Sequence, residues 1–433
     1  MMVGLPRQTG EPLITTQHGP QPADFADVRA TNLAVVLRHV RDHAPCSRAD
    51  IAAVTGLNKA TVSSLVADLI ERRLVRESGL TERRIGRPAT MLMLDGTSHA
   101  GLGVTIGAGQ VTAVGLDLSG EQVLSWRRAI HAGGVGSAGT AGGAGPAGPG
   151  RLISAVAALV GRAATRIAAG GRTVLKLTVG VPGLVDGDGV VRLAGELGWR
   201  DVDLRGELVR ALRKPGYDVA VDNDANLAAL AEHRFGAHAG TANLIHVTNA
   251  GGVGAGLVLG GRLVRGGLGL SGELGHVEVE PGGPPCPCGR RGCLEAVAGA
   301  AAIVRRVRPE AFADGAGPDL AAEVDEVVRR ARQADRTTLA VLGDAGRDLG
   351  RALAVAVNLL NPEVVALGGH FVPLAPWLLP AAEDELAARA VAPDAGGCRL
   401  VASALGADAA AIGGAARALD DLDAGLLPPN AAR

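Results

Sequence analysis

The chain has 433 residues, a formal charge of -1, five cysteines and 47% apolar side chains. That length can bury more than one core and suggests two or three domains. No stretch approaches the continuous apolar length of a membrane helix, and the N-terminal residues lack the charged-then-apolar order of a signal peptide, so the sequence reads as soluble and cytoplasmic.

Residues 1–28 are rich in Gly, Pro and Gln without periodicity and are expected to be disordered. Residues 29–95 read as a small domain. Leu33, Val36, Leu37 and Val40 recur at helical spacing, and Ser47 with Asp50 forms a capping box ahead of a second helix that Gly56 ends. A third helix begins near Asn58, with Val62, Leu65, Val66, Leu69 and Ile70 as its buried stripe and Lys59, Thr61, Ser63 and Ser64 on the opposite face. A helix, a tight glycine turn and a helix with a slim polar face fit a helix-turn-helix that enters a major groove; a plain helical bundle is the alternative. The following residues favour the former. Leu74–Arg76 and Thr90–Leu94 read as two strands, and TERRIGRPA between them as a wing whose Arg83, Arg84 and Arg87 suit phosphates or a narrow minor groove of double-stranded DNA. Residues 31–90 carry ten Lys and Arg against six Asp and Glu, a surplus that supports such a partner only weakly.

Residues 96–433 change in texture to strands and helices. LGVTI, VTAVGLDL and QVLSWRRAI read as strands, the Gly/Ala-rich segment 132–150 as a flexible loop, and then a helix and a buried strand lead to GVPGLVD. Gly180, Pro182 and Gly183 are cleft candidates there, or merely a tight turn. The next strand ends in DNDAN, where Asp224 could accept a ligand hydroxyl or act as a base, or could simply cap the helix that follows. Gly251, Gly252, Gly254 and Gly256 form a loop that could cradle phosphate or turn a hairpin.

The densest chemistry lies in GELGHVEVEPGGPPCPCGRRGCLE, residues 272–295. His276, Cys286, Cys288 and Cys293 make a Cys3His set, and four protein ligands close a zinc shell, so the metal reads as structural. Buried or disulfide-bonded cysteines are the alternative. Glu273 and Glu295 flank the set and would be carried toward one cleft, or remain a solvated turn. Cys46 and Cys398 are isolated thiols. Beyond residue 295 helices dominate, with strands at PEVVALGG and RLVAS.

These motifs resemble the ROK family, which joins sugar kinases with sugar-responsive repressors. The resemblance covers residues 31–420 and rests on GELGH with CPCGRRGCLE, supported by GVPGLVD, DNDAN and NPEVVALGG. It implies an α/β fold: an N-terminal winged helix-turn-helix followed by a two-lobed, actin- and sugar-kinase-like domain with a structural zinc knuckle. It assigns sugar contacts to Asn223, Asp224, Glu273, His276 and Glu295, and Zn2+ to His276, Cys286, Cys288 and Cys293. One ring nitrogen of His276 would bind metal while the other faces the sugar. Members with a winged helix resemble the xylose and N-acetylglucosamine repressors, which implies a DNA operator, a sugar or sugar-derivative effector and a homodimer or tetramer.

Three departures from the family pattern bear on activity. The kinase signature Asp-x-Gly-Gly-Thr-Lys is replaced by Thr105-Ile106-Gly107-Ala108-Gly109-Gln110, and Gly-Thr-Gly by Ala250-Gly251-Gly252. Without the acid, hydroxyl and lysine that hold Mg-ATP, a regulator that does not phosphorylate its sugar is expected, the alternative being an ATP-dependent kinase in which Asp224 is catalytic. Glu196 stands where the family often has Asn before a Gly-Trp pair, here Gly198-Trp199, which bears on which sugar fits.

Overall fold

The computed structural model describes residues 25–82, 89–107, 109–129, 149–313, 318–391 and 397–428. The first helix runs from Phe25 to His43, so residues 25–28 belong to it and not to the expected tail; residues 1–24 lie outside the described residues. Ser47 Oγ accepts from the Asp50 N–H at 3.2 Å and Asp50 Oδ2 accepts from the Ser47 N–H at 3.0 Å, which starts helix Arg48–Thr55. Gly56 ends it at φ 71°, a left-handed turn that favours glycine. Asn58 Oδ1 then takes the Thr61 N–H at 2.8 Å and opens helix Lys59–Glu71. Leu37, Val40, Ile51, Val62, Leu65 and Leu69 close one core beneath these helices. Val75–Glu82 and Ala89–Leu94 pair antiparallel as the wing, and Cys46–Ser47 adds a third strand against Leu92 and Met91. The wing tip, with Arg83, Arg84 and Arg87, lies outside the described residues.

Each lobe of the remaining chain holds a five-stranded sheet of the same construction. In the first, His99–Gly107 is central, flanked by antiparallel Gln110–Asp117 and Gln122–Ala129 on one side and by parallel Thr173–Val181 and Asp218–Asn223 on the other. In the second, Leu244–Asn249 is central, with antiparallel Val253–Leu259 and Arg262–Leu263 on one side and parallel Val364–Leu367 and Arg399–Ala402 on the other. A small sheet of Leu184–Val185, Val191–Ala194 and Trp199–Val202 tops the first lobe.

Helix Pro149–Ala169 corrects two expectations. It takes Pro149 and Gly150 from the expected flexible loop, of which the part up to residue 148 is outside the described residues. It is also long and apolar enough to cross a membrane, contrary to the first reading of the sequence; here Ile153, Val156, Leu159, Val160, Ala163 and Ile167 pack into the core of the first lobe. Apolar length alone does not separate a core helix from a membrane span.

Helix Ala409–Asp423 follows the second lobe in sequence but packs on the first. A Cβ at Gly101 or Gly103 would stand 2.0 Å from Ala415 O or 1.9 Å from Ala411 O, so the helix backbone lies directly on strand His99–Gly107. The far end of the same helix meets the winged helix, where Leu419 and Leu422 join Leu33, Leu37 and Leu118 in one apolar cluster.

Candidate functional site

The carboxyl ends of the first lobe's parallel strands converge. Thr105 pairs with Gly180, and Gly180 with Asp222, which sets Asn223 and Asp224 at the rim of the cleft. Capping of helix Asp224–Phe235, considered for Asp224, falls to Asn223. Its Oδ1 accepts from the Asn226 N–H at 3.0 Å and its Nδ2 donates to Gly183 O at 2.9 Å. Asp224 Oδ1 accepts from the Ala225 N–H at 2.9 Å. Burial pushes its carboxyl up to about 6, backbone N–H groups oppose the shift, and nearby Glu273 adds to it. Asp222 faces the other way, into a two-pronged ion pair with Arg265 of the second lobe at 2.9 and 2.5 Å. Arg265 carries no sequence signal that would have singled it out.

Glu196 lies on the short turn Gly195–Leu197 of the first lobe and reaches the glycine loop of the second. A Cβ at Gly251 would stand 1.8 Å from Glu196 Oε2, and one at Gly252 would stand 2.4 Å from Glu295 Oε2 and 3.2 Å from Glu196 Oε1. A Cβ at either position would push these carboxyl ends aside, which gives the loop a steric explanation beside the phosphate one. Burial pushes the Glu196 carboxyl up to about 8, and the charges of Asp224 and Glu295 add to the shift. Its Oε2 is buried without a hydrogen-bond partner among the described residues. Glu295 Oε2 accepts from the Val253 N–H at 2.9 Å, and Glu273 Oε2 stands 3.7 Å from His276 Nε2. Burial raises the Glu273 carboxyl, while His276 opposes the shift. Asn223, Asp224, Glu273, His276 and Glu295 are thus brought to one cleft, joined by Glu196.

On the other side of His276, Nδ1 lies 3.6 Å from Cys286 Sγ, and Cys288 Sγ lies 3.7 Å from Cys293 Sγ. Among the described residues these four are the group of His, Cys and acidic side chains placed to share a metal, with ligand atoms within 4.8 Å of one another. A tetrahedron with metal–sulfur bonds of ~2.3 Å and a metal–nitrogen bond of ~2.0 Å has edges of about 3.8 and 3.5 Å, so the spacing fits a zinc-sized ion. The knuckle is turned by glycines. Gly292, at φ 68°, leaves no room for a Cβ, which would stand 1.7 Å from Glu280 O.

In the winged helix, Lys59, Ser63 and Ser64 are exposed on helix Lys59–Glu71 and Thr61 is partly so; Ser63 Oγ donates to Lys59 O at 2.9 Å. The domain is tied to the cleft through helix Asp224–Phe235. Asp224 is at its start, and near its end Arg234 donates to Asp420 and Asp423 at 2.9 Å each. Asp423 also receives Arg41 of the first helix, and its backbone oxygen receives Arg38. No periodicity or motif marks this bridge, because its members come from three distant parts of the chain.

The profile of the ROK family matches residues 146–421, and that of the MarR family matches residues 34–84. The chain is 28% identical over 391 residues to the xylose repressor of Bacillus subtilis, covering 90% of this chain and 95% of that protein. Among solved structures it is similar to a ROK family transcriptional regulator, a homolog of the E. coli MLC protein, with a TM-score of 0.75 at 27% identity over 92% of this chain and 98% of that one. A ROK family glucokinase from Streptomyces griseus, solved with glucose and AMPPNP, gives a TM-score of 0.61 at 27% identity over 74% of this chain and 99% of that one.

Proposed function

The chain belongs to the ROK family, and on that premise we propose that it is a sugar-responsive DNA-binding transcriptional regulator, a cytoplasmic repressor of carbohydrate-related genes that binds its sugar without phosphorylating it. The observation that carries this reading is the physical continuity between a winged helix and a carboxylate-lined cleft, through helix Asp224–Phe235 and the Arg234–Asp423–Arg41 bridge. Similarity to the xylose repressor over nearly the whole of both chains supports it.

Asn223, Asp224, Glu273, His276 and Glu295 hold the sugar hydroxyls. With one lone pair of its Oδ1 and one amide hydrogen engaged, Asn223 positions its neighbour and offers the sugar one further donor and one further acceptor site. The metal is structural Zn2+: bound to His276 Nδ1 and the three thiolates, it fixes the ring so that Nε2 faces the cleft. Lys59, Thr61, Ser63 and Ser64 read base edges, and Arg83, Arg84 and Arg87 contact phosphate or the minor groove. The protein acts as a homodimer, or a pair of dimers, on two-fold related half-sites. Sugar binding draws the lobes into one closure, shifts the spacing of the two heads and weakens operator affinity by its differential affinity for the two arrangements.

Two features argue against phosphoryl transfer. Thr105, Gly107, Gly109 and Gln110 provide no acid or lysine for Mg-ATP, and the loop at Gly251 and Gly252 is covered by two carboxyl groups where a triphosphate needs donors. The test has two arms. Operator fragments selected from random DNA should lose affinity when a saturating sugar is added; unchanged affinity across neutral, amino, N-acetylated and phosphorylated sugars would remove the effector role. ATP consumption with those sugars should stay at background, whereas phosphorylation that disappears in Asp224→Asn would establish the kinase instead.

A further inference from the structure

A cavity of about 690 Å³ opens where the winged helix and the two lobes meet, and none of Asn223, Asp224, Glu273, His276 and Glu295 lines it. Its volume falls within the ~300–1,000 Å³ of small-molecule sites. Five arginines line it: Arg41 from the first helix, Arg234 from helix Asp224–Phe235, Arg417 from helix Ala409–Asp423, and Arg262 and Arg265 from the second lobe. Leu118, Leu230, Phe235 and Leu263 make another part of the wall apolar. Guanidinium groups stay charged at every working pH, so the character of this wall does not depend on titration.

The aspartates of the wall are already engaged. Asp420 takes Arg234 on Oδ1 at 2.9 Å and Arg417 on Oδ2 at 3.1 Å, Asp423 takes Arg41 and Arg234, and Asp42 takes Arg41 at 2.8 Å. Arg265 is held by Asp222, which does not line the cavity. Arg262 is exposed and has neither an ion pair nor a side-chain hydrogen bond among the described residues. Each guanidinium carries five N–H donors, and Arg417 uses a single one, on Asp420. The wall therefore holds more donors and more positive charge than its own acceptors satisfy. An anion would complete it. A phosphate monoester brings three terminal oxygens and nearly two negative charges, which forked guanidinium groups match in shape as well as in sign. Its organic part would lie on the apolar side chains.

We propose that this cavity is a second ligand site, for a small phosphate monoester, anchored on Arg262. The site is independent of what the carboxylate cleft binds. Arg41 comes from the winged helix and Arg262 from the second lobe, so one bound ester bridges the DNA-reading domain to the sensor and favours one arrangement of the two.

The experiment is titration calorimetry on the full-length, zinc-loaded protein at pH 7.5, above the second phosphate pKa of about 6, and at a fixed ionic strength of about 0.15 M. The probes are glucose 6-phosphate against glucose, ribose 5-phosphate against ribose, AMP against adenosine, and inorganic phosphate alone. At least one ester should bind tenfold or more tightly than its parent, and Arg262→Glu should remove that preference. No preference for any ester, or one that survives in Arg262→Glu, overturns the proposal. A preference lost in Asp224→Asn and kept in Arg262→Glu would place the phosphate in the carboxylate cleft, and also overturns it. Should Arg262→Glu not fold, as judged by circular dichroism, Arg262→Gln removes the charge more gently and is read in the same way. The ester that binds should also change operator affinity at least threefold in the wild type, and constant affinity would overturn the bridging role.

Discussion

Glu196 holds a proton that an unfolded chain would release. Its carboxyl titrates near 8 in the folded protein against 4.5 in the free side chain. Between those values the folded state binds more protons than the unfolded one, so stability falls as pH rises through that window. Asp224, raised from 3.8 to about 6, acts in the same direction over a lower range. Glu196→Gln removes the larger effect, and its melting temperature should exceed that of the wild type by roughly 5 °C at pH 9 while matching it near pH 4.5. Calorimetric melts at both values check this; an equal difference at each would mean that packing, and not charge, sets the change. In the sequence, Glu196 was visible as a departure from a family pattern, but its contact with Gly251 was not. The contact joins residues of opposite lobes, and spacing carries no record of such pairs.

Short elements were the most legible, because their signals are local. The capping box at Ser47 and Asp50 and the helix end at Gly56 lie within a few residues, the Cys3His set lies within one short segment, and each appears as read. The third strand of the winged sheet was missed because Cys46–Ser47 is two residues long and gains its identity from Leu92 and Met91. In the knuckle, glycine turns replace an apolar core, so a metal held by His276, Cys286, Cys288 and Cys293 would supply much of its folding energy. Cys288→Ser should lower the metal content from one equivalent per chain, measured by atomic absorption, and weaken sugar binding by about tenfold, since the metal's partner His276 forms part of the cleft wall. Wild-type melting together with wild-type sugar binding would contradict that. Where helix Ala409–Asp423 lies on strand His99–Gly107, Gly103→Ala should cost about 1–3 kcal/mol in denaturant unfolding, because the added carbon meets a backbone oxygen that cannot rotate away.

At the level of the whole molecule, two lobes with the same strand order face each other across the cleft, and among the described residues the apolar cluster of the winged helix is shared with Leu118 of the first lobe and with helix Ala409–Asp423. That arrangement packs the winged helix against first-lobe elements that also lead to the cleft. Asp423 lies between Arg41 of the winged helix and Arg234 of the helix that begins at Asp224. Asp423→Asn leaves two guanidinium groups facing a neutral amide. Operator affinity without sugar should change by less than about fivefold, because Asp423 pairs with Arg38, Arg41 and Arg234 and not with the residues proposed to read DNA on helix Lys59–Glu71, while the sugar-induced loss of affinity should shrink by at least half. Fluorescence anisotropy with labelled operator, with and without sugar, measures both quantities. A full sugar response in the variant would show that the signal reaches the winged helix by another route.

The return of helix Ala409–Asp423 to the first lobe also orders events during synthesis. The winged helix leaves the ribosome early, yet Leu419 and Leu422, which complete its apolar cluster, lie on the helix translated last among the described elements. Until then strand His99–Gly107 lacks the helix that covers Gly101 and Gly103, and Arg41 lacks Asp423. A polypeptide cut short before residue 409 would therefore carry a DNA-reading head whose apolar cluster lacks Leu419 and Leu422, on an unfinished sensor. Such fragments could occupy operators without answering to any effector, so quality control of incomplete chains becomes part of keeping the genetic switch responsive.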